Sequence, residues 1–202
     1  MNRKAFFLDP RVCDRPPDEI AELVDAYWFS KRVHDGQERM SGERFWEHPR
    51  RVVLLLLAYG HTRTETLVAA FIHDVLEDTF TPPRLFLRIF GSMVWIRARL
   101  LSKTIPAIDQ LTGRIDGYLN KEMKDYYAEI RAADIHVRLV KVADRLDNTI
   151  DYAMFTRDKL ERYIDEILTY ILPIARETCP LMTKDLEGRV AEMQRCLETM
   201  PL

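Results

Sequence analysis

A chain of 202 residues with a hydrophobic share of 47% carries enough apolar side chain for one compact core. Lys and Arg total 30 against 32 for Asp and Glu, and the formal charge of −2 gives no reason to expect a surface that coats nucleic acid. Cys13, Cys179 and Cys196 are odd in number and scattered, which argues against a disulfide framework or a thiolate zinc site and fits a reducing, cytoplasmic setting.

The prolines gather at segment edges, at Pro16-Pro17, Pro82-Pro83, Pro106, Pro173 and Pro180, where they punctuate helical patterns. A first helix is predicted from Asp18, with Ile20, Leu23, Val24, Tyr27 and Trp28 at helical spacing. Residues 34–47 read partly as loop. A second helix opens at His48-Pro49 and runs through Leu57, since proline fits a first turn. Its apolar stretch, residues 52–59, is far shorter than the ~20 residues that cross a membrane, and no membrane partner is expected.

Residues 64–77 are predicted as a third helix, carried by Leu67, Val68, Phe71, Ile72, Val75 and Leu76. Two short helices follow over 84–90 and 92–101, divided by Gly91, and residues 103–113 are expected to form a mobile loop. Residues 118–130, 134–155, 159–170 and 184–197 complete the helical pattern. No alternating strand signal is apparent, so the expected fold class is all-α, with residues 1–202 forming a single domain.

His73-Asp74 interrupts an otherwise apolar helix, and a buried carboxylate without a partner costs several kcal/mol. Glu77 and Asp78 lie four residues after each, which stacks further carboxylates along one wall. A cation would neutralise that crowd. On the dipeptide alone, a helix C-terminus with solvated acids explains the pattern as well. His48 heads its own helix, and Asp144 sits in an apolar stretch, so His48, His73, Asp74 and Asp144 together offer an imidazole and carboxylate set. That mixture suits a divalent manganese, iron or cobalt ion better than structural zinc. His61 and His136, without motif support, are expected at the surface.

The ordered segments His34-Asp35-Gly36-Gln37-Glu38-Arg39, His48-Pro49, His73-Asp74-Val75-Leu76-Glu77-Asp78-Thr79, Phe90-Gly91 and Lys141-Val142-Ala143-Asp144-Arg145-Leu146-Asp147-Asn148 resemble the HD-type hydrolase domain of Rel/Spo alarmone hydrolases, over residues 20–155. The resemblance implies a compact HD-domain helical bundle, with the motif core followed by C-terminal helices over 156–202. It also implies manganese-dependent removal of the 3′-pyrophosphate from ppGpp or pppGpp, leaving GDP or GTP. Carried over by position, the metal ligands are His48, His73, Asp74 and Asp144, and Glu77 with Asp78 orients or activates water. Arg39, Ser41 and Asn148 fall on the nucleotide side. Lys141 is a further candidate phosphate partner, Arg145 is expected to be structural, and His34 to be a core or supporting residue.

The sequence departs from the family pattern at Met40, Arg44, Phe45, Asp147 and the segment Thr149-Ile150-Asp151. These positions are expected on the recognition wall, with Phe45 a candidate for nucleotide contact. They keep two other functions open: an HD phosphohydrolase acting on another phosphorylated nucleotide, such as a 3′-phosphorylated adenine nucleotide or NADPH, and a catalytically silent nucleotide-binding protein. The intact Glu77-Asp78 pair weighs against the silent form.

Overall fold

The computed structural model describes residues 6–79, 81–108 and 115–201. After a short turn of helix at Pro10–Cys13, the chain forms α1 (Pro17–Val33), α2 (Glu47–Ala58), α3 (Thr64–Ile72) and the single turn α4 (Val75–Asp78). Helix α5 (Pro83–Leu101) leads into a hairpin of β1 (Thr104–Ile108) and β2 (Ile115–Asn120). Then come α6 (Met123–Ala132), α7 (Ile135–Asn148) and a 3-10 segment, Thr149–Met154. Helices α8 (Arg157–Glu166), α9 (Leu172–Thr178) and α10 (Pro180–Thr199) close the chain. No helix among the described residues is long and apolar enough to cross a membrane.

The core is organised by α3 and α7. Every residue of α3 except Glu65 is buried, and the helix packs against α1, α2, α5 and α7. Helix α7 packs against α2, α3, α9 and α10. Asp134 caps it by accepting from the Val137 amide at 3.0 Å, a contact worth about 1 kcal/mol. Ten successive or near-successive positions of α7 are buried, including Lys141, Asp144, Arg145 and Asp147. Charged side chains placed so deep must find partners, and the site is built from those pairings.

The predicted third helix is broken at His73 and Asp74, where the backbone turns before α4. The helical ladder resumes at once, with the Asp78 amide donating to the Asp74 carbonyl at 2.9 Å. Gly91 divides α5 as expected, at φ 74° and ψ 179°. That backbone conformation is essentially closed to residues with a Cβ. At the C-terminal side, Pro173 follows a wide π-helical turn, Ile167–Ile171, as expected where a ring without N–H displaces the regular ladder.

The expectations for residues 103–113 and 118–130 are corrected. Thr104–Ile108 pairs antiparallel with Ile115–Asn120, from Thr104 opposite Asn120 to Ile108 opposite Ile115, with a bulge at Ala107/Ile108. Helix α6 therefore starts only at Met123, and residues 109–113 of the predicted loop lie outside the described residues. The hairpin is the only sheet among them.

Candidate metal centre and active site

Helices α2 and α7 and the turn between α3 and α4 bring four groups to one point. His48 Nε2 lies 3.2 Å from His73 Nε2. Asp74 Oδ2 is 3.4 Å from the first and 3.1 Å from the second, and Asp144 Oδ1 is 3.2 Å and 3.7 Å away. Both imidazoles are buried. Ligand atoms of His48, His73 and Asp74 all lie within 4.8 Å of one another.

The opposite edge of each ring fixes what the facing nitrogens can do. His48 Nδ1 donates to Asp147 Oδ2 at 2.7 Å, and His73 Nδ1 donates to the Ala70 carbonyl at 2.8 Å. Each neutral ring therefore turns an Nε2 lone pair toward the other and toward two carboxylates. Such a convergence of electron pairs is unfavourable unless positive charge sits among them. Burial pulls the His48 pKa down, but Asp144, Asp147 and Asp74 outweigh it and raise it to about 9. Burial likewise opposes ionisation of His73, and Asp74 with Asp144 again overcomes it. Burial would raise the carboxyl pKa of Asp74 and Asp144, yet the imidazoles, and Lys141 for Asp144, hold both low. The donor set is that of a divalent metal site, where one cation does the work of two crowded protons.

A cavity of about 400 Å³ opens beside this point. His48 and the carboxylates Asp74, Glu77, Asp78 and Asp144 line it, as do Arg39, Met40, Phe45, Asn148 and Asp151. Asp78 reaches solvent at the mouth. Desolvation first, then the charges of Asp74 and Glu77, push its carboxyl pKa up to about 7. Glu77 is exposed and accepts the Lys103 amide at 2.7 Å, so it ties α4 to the hairpin as well as facing the cavity.

The predicted nucleotide side is partly brought together. Arg39 donates to Asn148 Oδ1 at 2.6 Å and Asp151 Oδ2 at 3.1 Å, while Asn148 Nδ2 donates to Asp144 Oδ1 at 2.5 Å. One chain of contacts thus runs from Arg39 to the metal-side carboxylate. Lys141 reaches the cavity but is buried, and its ammonium donates to Asp144 Oδ2 at 2.8 Å. Ser41 is exposed and is absent from the cavity wall. Arg145 is buried, pairs with Glu166 at 2.5 Å and lies over the Tyr163 ring, and it also lines the cavity.

His34 is buried and stacks on Phe45, with ring centres 4.6 Å apart. It donates from Nδ1 to Gln37 Oε1 at 2.7 Å, and Gln37 Nε2 donates to the Asp78 carbonyl at 2.7 Å. Against expectation, His61 and His136 are half-buried and engaged, with Cys179 Sγ at 3.4 Å and Thr66 Oγ1 at 2.7 Å. The departures Met40, Phe45 and Asp151 do lie on the cavity wall, but Arg44, Asp147, Thr149 and Ile150 do not; Asp147 is behind His48.

Lys159 was not singled out by any motif. It lines the cavity from α8 with its ammonium over the Phe155 ring, 4.0 Å from the centre, and 3.0 Å from Met40 Sδ. Its only sequence signal is a cation at the start of a helix that follows the motif region.

A family model described as "HD domain" matches residues 26–176. The chain belongs to the HD domain family. The HD domain here is 32% identical over 161 residues to a guanosine-3′,5′-bis(diphosphate) 3′-pyrophosphohydrolase of Aquifex aeolicus. It is 31% identical over 167 residues to the bifunctional (p)ppGpp synthase/hydrolase SpoT of Escherichia coli. Each alignment covers 79% of this chain but only 22% of the relative, so the chain spans about a fifth of the length of these curated relatives. Among solved structures, a metazoan ortholog of SpoT, described as hydrolysing ppGpp and acting in starvation responses, superposes with a TM-score of 0.70 at 21% identity. The match covers 88% of this chain and 97% of that one, and shows a shared fold.

Proposed function

We propose that this HD domain is a metal-dependent 3′-pyrophosphohydrolase of guanosine tetra- and pentaphosphate, releasing GDP or GTP and pyrophosphate. The observation that carries the reading is the convergence of the His48 and His73 Nε2 atoms, 3.2 Å apart, on Asp74 and Asp144 beside the cavity. His48, His73, Asp74 and Asp144 hold the metal, with manganese favoured by the imidazole and carboxylate mixture. Residues 1–202 act as a single domain. The scattered free cysteines suit a cytoplasmic enzyme.

A bound divalent cation makes water more acidic and offsets phosphate charge. Asp78, with its raised pKa, orients the attacking water and accepts its proton. Glu77 holds the hairpin edge against the cavity through the Lys103 amide. Arg39 and Asn148 face the nucleotide, and Lys159 supplies a cation to its phosphates. Lys141 acts through Asp144, which it orients and neutralises.

A second reading, hydrolysis of another phosphorylated nucleotide, is favoured by one contact. Asp151 occupies Arg39, so the guanidinium is not free to read a base unaided. The deciding experiment assays ppGpp, pppGpp, a 3′-phosphorylated adenine nucleotide and NADPH with and without manganese. Pyrophosphate release from ppGpp that depends on manganese is the expected result. A metal-loaded protein inert toward ppGpp would refute the first reading, and turnover of another nucleotide would establish the second.

A further inference from the structure

A histidine offers one ring nitrogen to a metal only when the other nitrogen holds the proton, and the group facing that proton selects the tautomer. For His73 the selector is the Ala70 carbonyl, fixed by the helix itself. For His48 it is a side chain 99 positions away in the sequence, Asp147. Asp144 and Asp147 are one turn apart on α7, so the same helix presents one carboxylate to the front of the imidazole and another to its back.

Asp147 is 1% exposed, and a carboxylate that deep needs a counter-charge. Arg51, one turn after His48 on α2, provides it through two bonds. Nε donates to Oδ1 at 2.8 Å and Nη2 to Oδ2 at 3.0 Å. A carboxylate gripped at both oxygens cannot rotate, so the direction of the His48 ring is set by the guanidinium fork. The remaining Nη1 donates to Glu43. The Glu43 carbonyl in turn accepts the Arg39 amide at 2.8 Å. Asp147 and Arg51 line a separate groove with Leu54, Tyr59, Lys184 and Arg189, not the reaction cavity.

We propose that Asp147 and Arg51 form a positioning pair that locks His48 in the Nδ1–H tautomer, aims its Nε2 at the metal position and ties that ring to the loop bearing Arg39. The inference rests on the metal-site reading above. The pair touches neither substrate nor reacting atoms and acts only through His48 and the loop.

The test uses the full chain, and its main variant is Asp147→Asn, which is nearly isosteric. A carboxamide has one acceptor oxygen where the carboxylate has two. Arg51 offers a donor to each end of the group, so one of its N–H groups must meet the amide NH₂; with the oxygen held by Nε, the NH₂ faces His48 Nδ1, which must then carry a lone pair. The proton moves to Nε2, the nitrogen required by the metal; the same substitution beside a catalytic histidine is known to select the wrong tautomer.

Ring nitrogen shifts of ¹⁵N-labelled, metal-free protein at alkaline pH should show His48 as Nδ1–H in the wild type and Nε2–H in Asp147→Asn. Calorimetric titration with Mn²⁺ and Co²⁺ should show affinity reduced about 10- to 100-fold. Adding Arg51→Leu frees the carboxamide oxygen to accept from Nδ1–H, so the double variant should regain part of that affinity. A pair that merely braces α2 against α7 predicts the reverse, a further loss with no change of tautomer.

Unchanged tautomer and affinity in Asp147→Asn would overturn the proposal, and a double variant no better than the single one would remove Arg51 from it. A wild type that takes up neither metal sinks the metal-site reading instead. The nitrogen shifts still report on the pair in that case, so the two failures are distinguishable.

Discussion

Lys141→Met removes the ammonium that lies 2.8 Å from Asp144 while keeping most of the volume of the side chain. At an effective dielectric of about 20 the pair attraction at that distance is on the order of 6 kcal/mol, part of which offsets the cost of taking both ions out of water. Breaking a buried pair by deleting one partner costs about 3–5 kcal/mol. Asp144 keeps the Asn148 amide at 2.5 Å and faces His48 Nε2 at 3.2 Å, so the lower end, about 3 kcal/mol, is expected. Urea unfolding of the chelator-treated protein measures that gap.

Saturating Mn²⁺ should then narrow the gap, because a cation beside Asp144 replaces the missing charge and no longer competes with the ammonium. Each tenfold gain in metal affinity closes about 1.4 kcal/mol. Equal stability of variant and wild type in chelator, or a gap that Mn²⁺ leaves unchanged, would refute the assignment of Lys141 as the counter-ion of a metal-side carboxylate.

Asp78→Asn should lower kcat about 10²- to 10⁴-fold with metal affinity retained, whereas Glu77→Gln, which still accepts the Lys103 amide, should lose less; equal losses in the two would show the acidic pair misassigned. Because the base must be ionised, the wild-type rate should fall with acid at or below pH about 7, since a bound cation can only draw that pKa lower; the limb should vanish in Asp78→Asn, as read from its pH–rate profile. The metal-free site protonates His48 with a pKa of about 9, so Mn²⁺ affinity should rise with pH up to that value, by up to about tenfold per unit for each proton displaced, and a flat titration series would contradict it. Gly91→Ala should destabilise by about 1–3 kcal/mol in chemical denaturation, although open space awaits the added Cβ; a neutral result would mean that the backbone relaxes to a regular helix.

The helices were legible because their apolar residues recur at one period and prolines mark their edges; Pro17, Pro83 and Pro180 all start helices. The hairpin was not. Pro106 and Gly117 both discourage a strand reading, and Tyr118 and Leu119 are adjacent and both exposed, which is no alternation at those two positions. What makes the segment a strand is the pairing of Thr104–Ile108 with Ile115–Asn120, which the side-chain pattern of neither strand alone shows. The His and Asp set was visible as polar residues stranded in apolar helices, and the structure brings all four together.

The supports were harder to see. Asp147 looked like a change on the recognition wall, whereas its partners His48 and Arg51 lie 99 and 96 positions away. Lys159 likewise gains significance only because α8 folds back over the cavity. The motif makes Lys141 a candidate phosphate partner, but its anion is three residues along its own helix, Asp144. A charge in a motif is thus easier to find than the charge it answers.

Helix α7 carries a consequence for how this sequence can drift. Lys141, Asp144, Arg145, Asp147 and Asn148 answer respectively to a neighbour on the same helix, two histidines, a glutamate on α8, an arginine on α2 and an arginine in the loop before α2. Inserting one residue after Leu139 would rotate all five by about 100° and break every pairing they make with other elements, sparing only the contacts of Asp144 with Lys141 and Asn148 on the same helix. Point changes are restricted differently: Arg51 with Asp147 and Arg145 with Glu166 can be exchanged only as couples. Variation in homologous chains should therefore appear here as paired substitutions at fixed spacing, never as insertions.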